Sequence, residues 1–229
     1  MIAVIGDVHG CYYTLVALYD SIKKKYPDIT IFATGDLVDR GKNSFEVIEF
    51  VRKNKIPFTQ GNHDHMFYEF FKSPSSVFAR NWMFNGNEVT MESYIDREEL
   101  IVEHIEFIQE QPFFFDLPDA FLSHAGISSD FEKLVKRKNK IDFELLEEAI
   151  YSHITADNGV LWNRYPLMNI GRLQIVGHTK QRSAVFHEDS FSINIDTGAC
   201  YGNKLTAIIV HQNKIIDSLE EKTHMDDLI

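Results

Sequence analysis

One ending recurs along this chain and constrains it more than any other feature. Four times a short apolar run passes into glycine and then into a polar residue able to bind a metal: Gly6-Asp7, Gly35-Asp36, Gly61-Asn62 and Gly177-His178. A fifth run ends at Ser123-His124-Ala125-Gly126. Glycine lets backbones approach closely, which several loops converging on one small site require. The first three polar residues lie 29 and 26 positions apart, so they can meet only through the fold.

The apolar, β-branched runs at Ile2 to Ile5, Ile29 to Ala33, Ile56 to Thr59, Ala120 to Leu122, Leu173 to Val176, Ser192 to Ile195 and Leu205 to Val210 read as strands. Between the first three, Leu15, Leu18, Ile22 and then Phe45, Ile48, Val51 recur at helical spacing. The opening therefore reads β-α-β-α-β, with parallel strands whose C-terminal ends share one edge. From Phe191 onward short turns separate the strands, which predicts antiparallel or mixed pairing. The expected fold class is α/β: a two-sheet β-sandwich flanked by helices, forming a single catalytic domain over residues 1–219. Charge-rich helical cap segments are expected at about 67–111 and 131–168, and a flexible acidic tail at 220–229. Phe67, Phe70 and Phe71 fall on one helix side, Phe113 to Phe115 read as buried strand, and the basic residues from Lys133 to Lys140 as an exposed helix end.

With His9 two residues beyond Asp7, the cluster is Asp7, His9, Asp36, Asn62, His124 and His178. Singly, an Asp after a strand is usually a turn or cap residue; repetition at five strand ends is what carries the reading. Oxygen and imidazole donors without thiolate suit Mn²⁺, Fe or Zn²⁺. Six protein groups exceed what one catalytic metal with an open position takes, so two divalent ions sharing one carboxylate are expected. The remaining histidines, His65 and His104 among them, are assigned to the surface or to local hydrogen bonds.

Charge excludes some functions. Against 34 Asp and Glu the chain has 23 Lys and Arg, a net charge of −11, the wrong sign for gripping nucleic acid by bulk electrostatics. Any phosphate must be attracted locally. Cys11 and Cys200 are too few for a disulfide framework, and no apolar run approaches the roughly 20 residues of a membrane span. With no basic leader before Asp7, the expectation is a cytoplasmic protein with neither nucleic-acid nor membrane partners.

Gly6-Asp7-Val8-His9-Gly10, Gly35-Asp36-Leu37-Val38-Asp39-Arg40-Gly41 and Gly61-Asn62-His63-Asp64 resemble the three signature blocks of the calcineurin-like metallophosphoesterases, and Asp39-Arg40-Gly41 resembles the phosphoprotein phosphatase branch. Ser123-His124-Ala125-Gly126, Leu161-Trp162-Asn163-Arg164, Gly177-His178-Thr179 and Asp196-Thr197-Gly198-Ala199 are similar to later blocks of the lambda-phage-type bacterial protein phosphatases. The resemblance implies that Asp7, His9 and Asp36 hold one metal, and that Asp36 bridges to a second held by Asn62, His124 and His178. It implies Mn²⁺, His63 as general acid, Asp39 as its orienting carboxylate, and Arg40 and Arg164 as a phosphate clamp. Tyr201 falls where relatives have an aromatic residue near the substrate.

The implied reaction is in-line attack of metal-bound hydroxide on a phosphate ester. The expected substrate is a phosphorylated serine or threonine, with phosphotyrosine also in range, on a protein or peptide. The alternative is the symmetrical bis(5′-nucleosyl)-tetraphosphatase, a dinucleotide polyphosphate hydrolase that shares Asp after Gly-Asn-His, as at Asp64. Against it stand Asp39, where such enzymes show Ala, and Trp162-Asn163-Arg164. A third reading, an inactive metal- and phosphate-binding scaffold, is disfavoured because every position is filled.

Overall fold

A computed structural model describes residues 1–137 and 140–229. Lys138, one of the basic residues noted above, lies outside the described residues. The chain opens with β1 (Ile2–Ile5), α1 (Tyr12–Lys25), β2 (Thr30–Ala33) and α2 (Ser44–Lys53). β1 and β2 pair in parallel from Ile2 opposite Thr30 to Ile5 opposite Ala33. The third expected strand, Ile56 to Thr59, is reduced to one parallel bridge between Ala33 and Phe58. Pro57 explains this: its carbonyl accepts from Ala33 N–H, but it has no N–H to extend the ladder.

Four helices follow: α3 (Asn62–Lys72), α4 (Val77–Trp82), α5 (Asn87–Ser93) and α6 (Ile101–Gln109). Then come β3 (Phe114–Asp116), β4 (Phe121–Ser123), α7 (Glu132–Val135), the ribbon β5 (Lys136–Arg137) and β6 (Lys140–Ile141), and α8 (Phe143–Ser152). The chain closes with β7 (Gln174–Val176), β8 (Val185–His187), β9 (Ser192–Asn194), β10 (Lys204–His211) and β11 (Lys214–Lys222). One sheet has the order β11-β10-β1-β2 and the other β3-β4-β7-β9-β8. β4, β7 and β9 are mutually parallel, while β10 runs antiparallel to β1.

Strand alternation explains the layering. Ile2 and Val4 of β1, with Ile208 and Val210 of β10, pack against Leu122, Ile175 and Ile193 of the second sheet. Ala3, Ile5, Ala207 and Ile209 face the other way, onto α1, α2 and α3. Phe121 points outward from the second sheet to Phe131, Leu146 and Ile150 of the α7–α8 side. The expected sandwich between helical layers is present. Phe114 and Phe115 are half-buried because β3 is an edge strand. Among the described residues no helix is long and apolar enough to cross a membrane.

His104, assigned to the surface or to local hydrogen bonds, is fully buried and bonded to Tyr94 Oη at 2.7 Å and Glu49 Oε1 at 2.8 Å. One expectation changes here. The expected flexible tail at 220–229 instead lies along the domain: β11 reaches Lys222, and Asp227 is fully buried. Its carboxylate accepts from Tyr13 N at 3.0 Å, Thr14 N at 2.9 Å and Thr14 Oγ1 at 2.6 Å, and from Asn43 Nδ2 at 3.0 Å. The first turn of α1 has no side-chain cap of its own, so an acid 213 residues away satisfies its free N–H groups. Asp227→Ala should cost roughly 2–3 kcal/mol because it strands several buried donors at once. Urea denaturation should show the midpoint falling; an unchanged midpoint would refute the capping role.

Candidate active site at the convergent strand ends

Asp7 leaves β1 with one hydrogen bond to each oxygen: Thr34 Oγ1 donates to Oδ1 and His178 N–H to Oδ2, both at 2.8 Å. Asp36 leaves β2 with Oδ1 bonded to the His63 N–H at 2.9 Å. Its Oδ2 is left facing His9 Nε2 at 3.3 Å and His124 Nε2 at 3.5 Å. His9 Nδ1 lies 2.9 Å from Val38 O, and His124 Nδ1 2.9 Å from Thr34 O. Carbonyls only accept, so both rings carry a proton on Nδ1 and turn Nε2 inward; on His9 that nitrogen accepts from Arg40 and so presents its lone pair.

A second group converges beside this one. Asn62 Oδ1, His124 Nε2 and His178 Nδ1 are separated by 2.8, 3.0 and 3.2 Å. Donors about 2.1 Å from one ion at right angles stand about 3 Å apart, so these separations match ligands of a single cation. Electrostatics agree. Burial and the charge of Asp196 push the Asp7 carboxyl well above its usual range, and burial and Asp64 do the same to Asp36. Burial, with Arg40 beside it, holds His9 well below the usual imidazole range, which keeps it a neutral donor. Buried carboxylates in excess of nearby cations, facing imidazole nitrogens, form a donor set that divalent ions would balance. The residues present fit two metals. His63 also lies within reach of His9 and Asp36, but both of its ring nitrogens are engaged elsewhere.

The site backbone is strained. Of ten non-glycine residues with positive φ among those described, five are candidate site residues: His9, Asp36, Asp39, Arg40 and His178. Each costs about 1–3 kcal/mol unless its surroundings enforce it, and such strain concentrates at functional sites. Glycine supplies the room: a Cβ on Gly61 would overlap Asp36, and one on Gly177 would overlap Asp7. Gly61 and Gly177 thus leave space for the carboxylate of a different strand, while Gly6 and Gly35 leave it for the backbone carbonyls of Ile195 and Thr59.

His63 and Asp39 form the other half. His63 Nδ1 is 2.6 Å from Asp39 Oδ2, and Trp82 Nε1 and Thr90 Oγ1 also donate to this carboxylate, at 2.9 and 2.7 Å. Burial pushes Asp39 up to about 7 against the pull of the Thr90 and Trp82 hydrogen bonds. Only donors face its oxygens, so the ionised form is the one this pocket accommodates. Burial and Arg40 hold His63 well below its ordinary value. Arg40 Nη1 donates to His9 Nε2 at 2.9 Å and Nη2 to His63 Nε2 at 2.8 Å.

The remaining expected residues rim the site. Arg164 is exposed, and its charge helps lower His63 and His178. Tyr201 is 57% exposed, with Arg40 5.7 Å and Lys180 Nζ 3.7 Å from its ring. Sequence reasoning missed Lys180, Thr34, Trp82 and Thr90. Lys180 and Thr34 flank recognised blocks and were within reach of it; Trp82 and Thr90 arrive from the cap helices α4 and α5 with no local signal. Asp64, weighed above as a substrate marker, is structural: it accepts from Leu37 N at 2.8 Å and Gly61 N at 3.0 Å, tying the Asp36 loop to α3.

Comparison with known proteins gives the same picture. Residues 1–182 match the sequence profile of the family described as calcineurin-like phosphoesterase. The chain is similar to proteins named bis(5′-nucleosyl)-tetraphosphatase PrpE [asymmetrical]. It is 30% identical to that of Bacillus velezensis over 89% of this chain and 86% of the relative. It is 29% identical to that of Halalkalibacterium halodurans over 90% and 88%. Among solved structures, a candidate diadenosine tetraphosphatase superposes with TM-score 0.60 at 20% identity, covering 97% of this chain and 94% of the other. A cold-active protein-tyrosine phosphatase of a Shewanella species gives TM-score 0.61 at 17% identity, covering 97% and 80%. At these identities both structures speak for the fold alone.

The hydrogen-bond chain through Asp39 predicts a leaving-group-dependent defect. His63→Asn should slow turnover of a phosphoserine peptide by about 100-fold, and that of p-nitrophenyl phosphate far less. Thr90→Val, which leaves Asp39 one donor short, should show the same selectivity more mildly. Equal losses on both substrates would refute the chain as a proton-delivery device.

Proposed function

Because this chain belongs to the calcineurin-like phosphoesterase family, a family of metal-dependent phosphoester hydrolases, we propose that its substrate is a bis(5′-nucleosyl) tetraphosphate, cut asymmetrically. One observation carries the choice: similarity to proteins named as asymmetrical tetraphosphatases runs nearly end to end in both partners, at 30% identity in one case. This reverses the order expected from sequence, which put the serine/threonine protein phosphatase first, and it replaces the symmetrical by the asymmetrical cut. A protein phosphatase is the second reading, favoured by Asp39 and Trp162-Asn163-Arg164.

In this reading Asp7, His9 and Asp36 hold one divalent ion, and Asp36, Asn62, His124 and His178 the other, with Mn²⁺ the ion of choice. The pair supplies Lewis-acid polarisation of the phosphoryl group and lowers the pKa of bound water. Arg40 and Arg164 bind phosphoryl oxygens through guanidinium forks and offset charge that develops on them. Arg40 donates to the His9 Nε2 lone pair; were His9 to hold a metal, the guanidinium would be free to face the phosphate. His63 Nε2, which shares the same guanidinium, would then be free to carry a proton to the leaving oxygen while its Nδ1–H stays on Asp39. An asymmetrical cut expels a nucleoside triphosphate, whose terminal oxygen has a pKa of ~6. That oxygen needs the proton less than an alkoxide does. Lys180, poised over Tyr201 beside Arg40, adds a cation for the longer polyphosphate.

The test is a panel with Mn²⁺: diadenosine tetraphosphate, a phosphoserine peptide and a phosphotyrosine peptide, with product analysis. The expected result is kcat/KM at least about 100-fold higher for the dinucleotide, yielding AMP and ATP. Preference for either peptide overturns the substrate, and two molecules of ADP overturn the asymmetry.

A further inference from the structure

A concavity lies beside the candidate active site. It encloses about 700 Å³, within the range of small-molecule sites. Its near end belongs to both: Arg164 and Gly177 line it, and Gly177 abuts Asp7 and precedes His178. Its wall carries two aromatic rings, Tyr165 and Phe186, which are 53% and 44% exposed. Neither belongs to the three apolar clusters of the core. Glu188 and Asp189 line it as well, both exposed acceptors.

The turn presenting Arg164 and Tyr165 is braced. Asn163 Nδ2 donates to Tyr165 O at 3.2 Å, Tyr165 N donates to Asn163 Oδ1 at 3.1 Å, and Ser129 N donates to Pro166 O at 2.8 Å. Asn163 is itself buried beneath the turn. An exposed aromatic ring on a pinned turn costs little to immobilise on binding, which is what a stacking platform needs.

We propose that this groove is the nucleoside subsite, a specificity site distinct from the metal and phosphate positions. The phosphate next to the nucleoside meets Arg164, the base stacks against the aromatic wall of Tyr165 and Phe186, and Glu188 or Asp189 accepts from an exocyclic amine such as that of adenine. A cation, two π-faces and carboxylate acceptors lining one groove match, in kind, the phosphate, base and amino group of a nucleotide. A phosphopeptide offers no planar base to such a wall. The proposal rests on the dinucleotide reading above and deepens it.

The experiment separates the two. AMP and ribose 5-phosphate are compared as competitive inhibitors of p-nitrophenyl phosphate hydrolysis. They share the phosphate and sugar and differ by the base, so the ratio of their inhibition constants reads the groove whichever substrate the enzyme prefers. Wild type should bind AMP about tenfold more tightly or better, and Tyr165→Ala/Phe186→Ala should bring the ratio near one. A ratio near one in wild type, or a high ratio that survives the double substitution, overturns the subsite. Photolabelling of unmodified protein with 8-azidoadenosine 5′-monophosphate gives a second reading independent of the variants' folding. Labelled peptides should contain Tyr165 or Phe186, and labelling confined elsewhere overturns the proposal. If the ratio is high while phosphopeptides are the better substrates, the substrate assignment falls and the groove stands.

Discussion

Everything in the site is arranged around the two oxygens of Asp36. Oδ1 is bonded by the first turn of α3 through the His63 N–H, so the carboxylate cannot rotate without breaking that helix start. Oδ2 is thereby aimed between His9 and His124, with ring nitrogens 3.3 and 3.5 Å away on either side. A buried carboxylate tied at one oxygen and bare at the other is costly without a counter-charge. The same geometry makes it a natural bridge for two cations. Asp7, Asp36 and His124 offer ligand atoms within reach of one another, and His9, Asn62 and His178 stand around the same centre.

The sandwich supplies the stiffness such an arrangement requires. β1 is buried along its whole length between a helical layer and the second sheet, and its alternating side chains belong to both cores. Strand ends held this firmly can sustain left-handed backbone at His9, Asp36 and His178, where looser loops would relax. The same rigidity explains why Gly61 and Gly177 precede ligands: the strand ends lie so close that a Cβ on either would occupy the volume of a neighbouring carboxylate. Asp227 extends the principle to the chain's last residues, fastening the start of α1, which follows the His9 turn directly.

What could be read from sequence follows from how local each determinant is. The convergence of the strand ends and their polar residues is legible because each is a short run with its own apolar pattern and glycine. Ile56 to Thr59 looked like another strand, and Pro57 broke the ladder at a single residue. Asp227 was unreadable because its partners Tyr13, Thr14 and Asn43 are 214, 213 and 184 residues away and acidic composition suggests solvent. Trp82 and Thr90 were unreadable for the same reason: their relation to Asp39 exists only once α4 and α5 are packed. Sequence alone ranks the two proposed substrates poorly because the recognised blocks are of the kind that would serve metal and phosphate, which phosphopeptides and dinucleotides have in common. The groove beside Arg164, built from turns and an edge strand, is where the two would differ.

The central claim is that Asp36 Oδ2 is shared by two metal ions. Crystals grown with Mn²⁺ and measured at the manganese absorption edge test it directly. The account predicts two anomalous peaks flanking Asp36, about 3.5–4 Å apart, one contacted by Asp7 and His9 and the other by Asn62, His124 and His178. A single peak, or an ion bound to His63 in place of the Asn62 group, would contradict it.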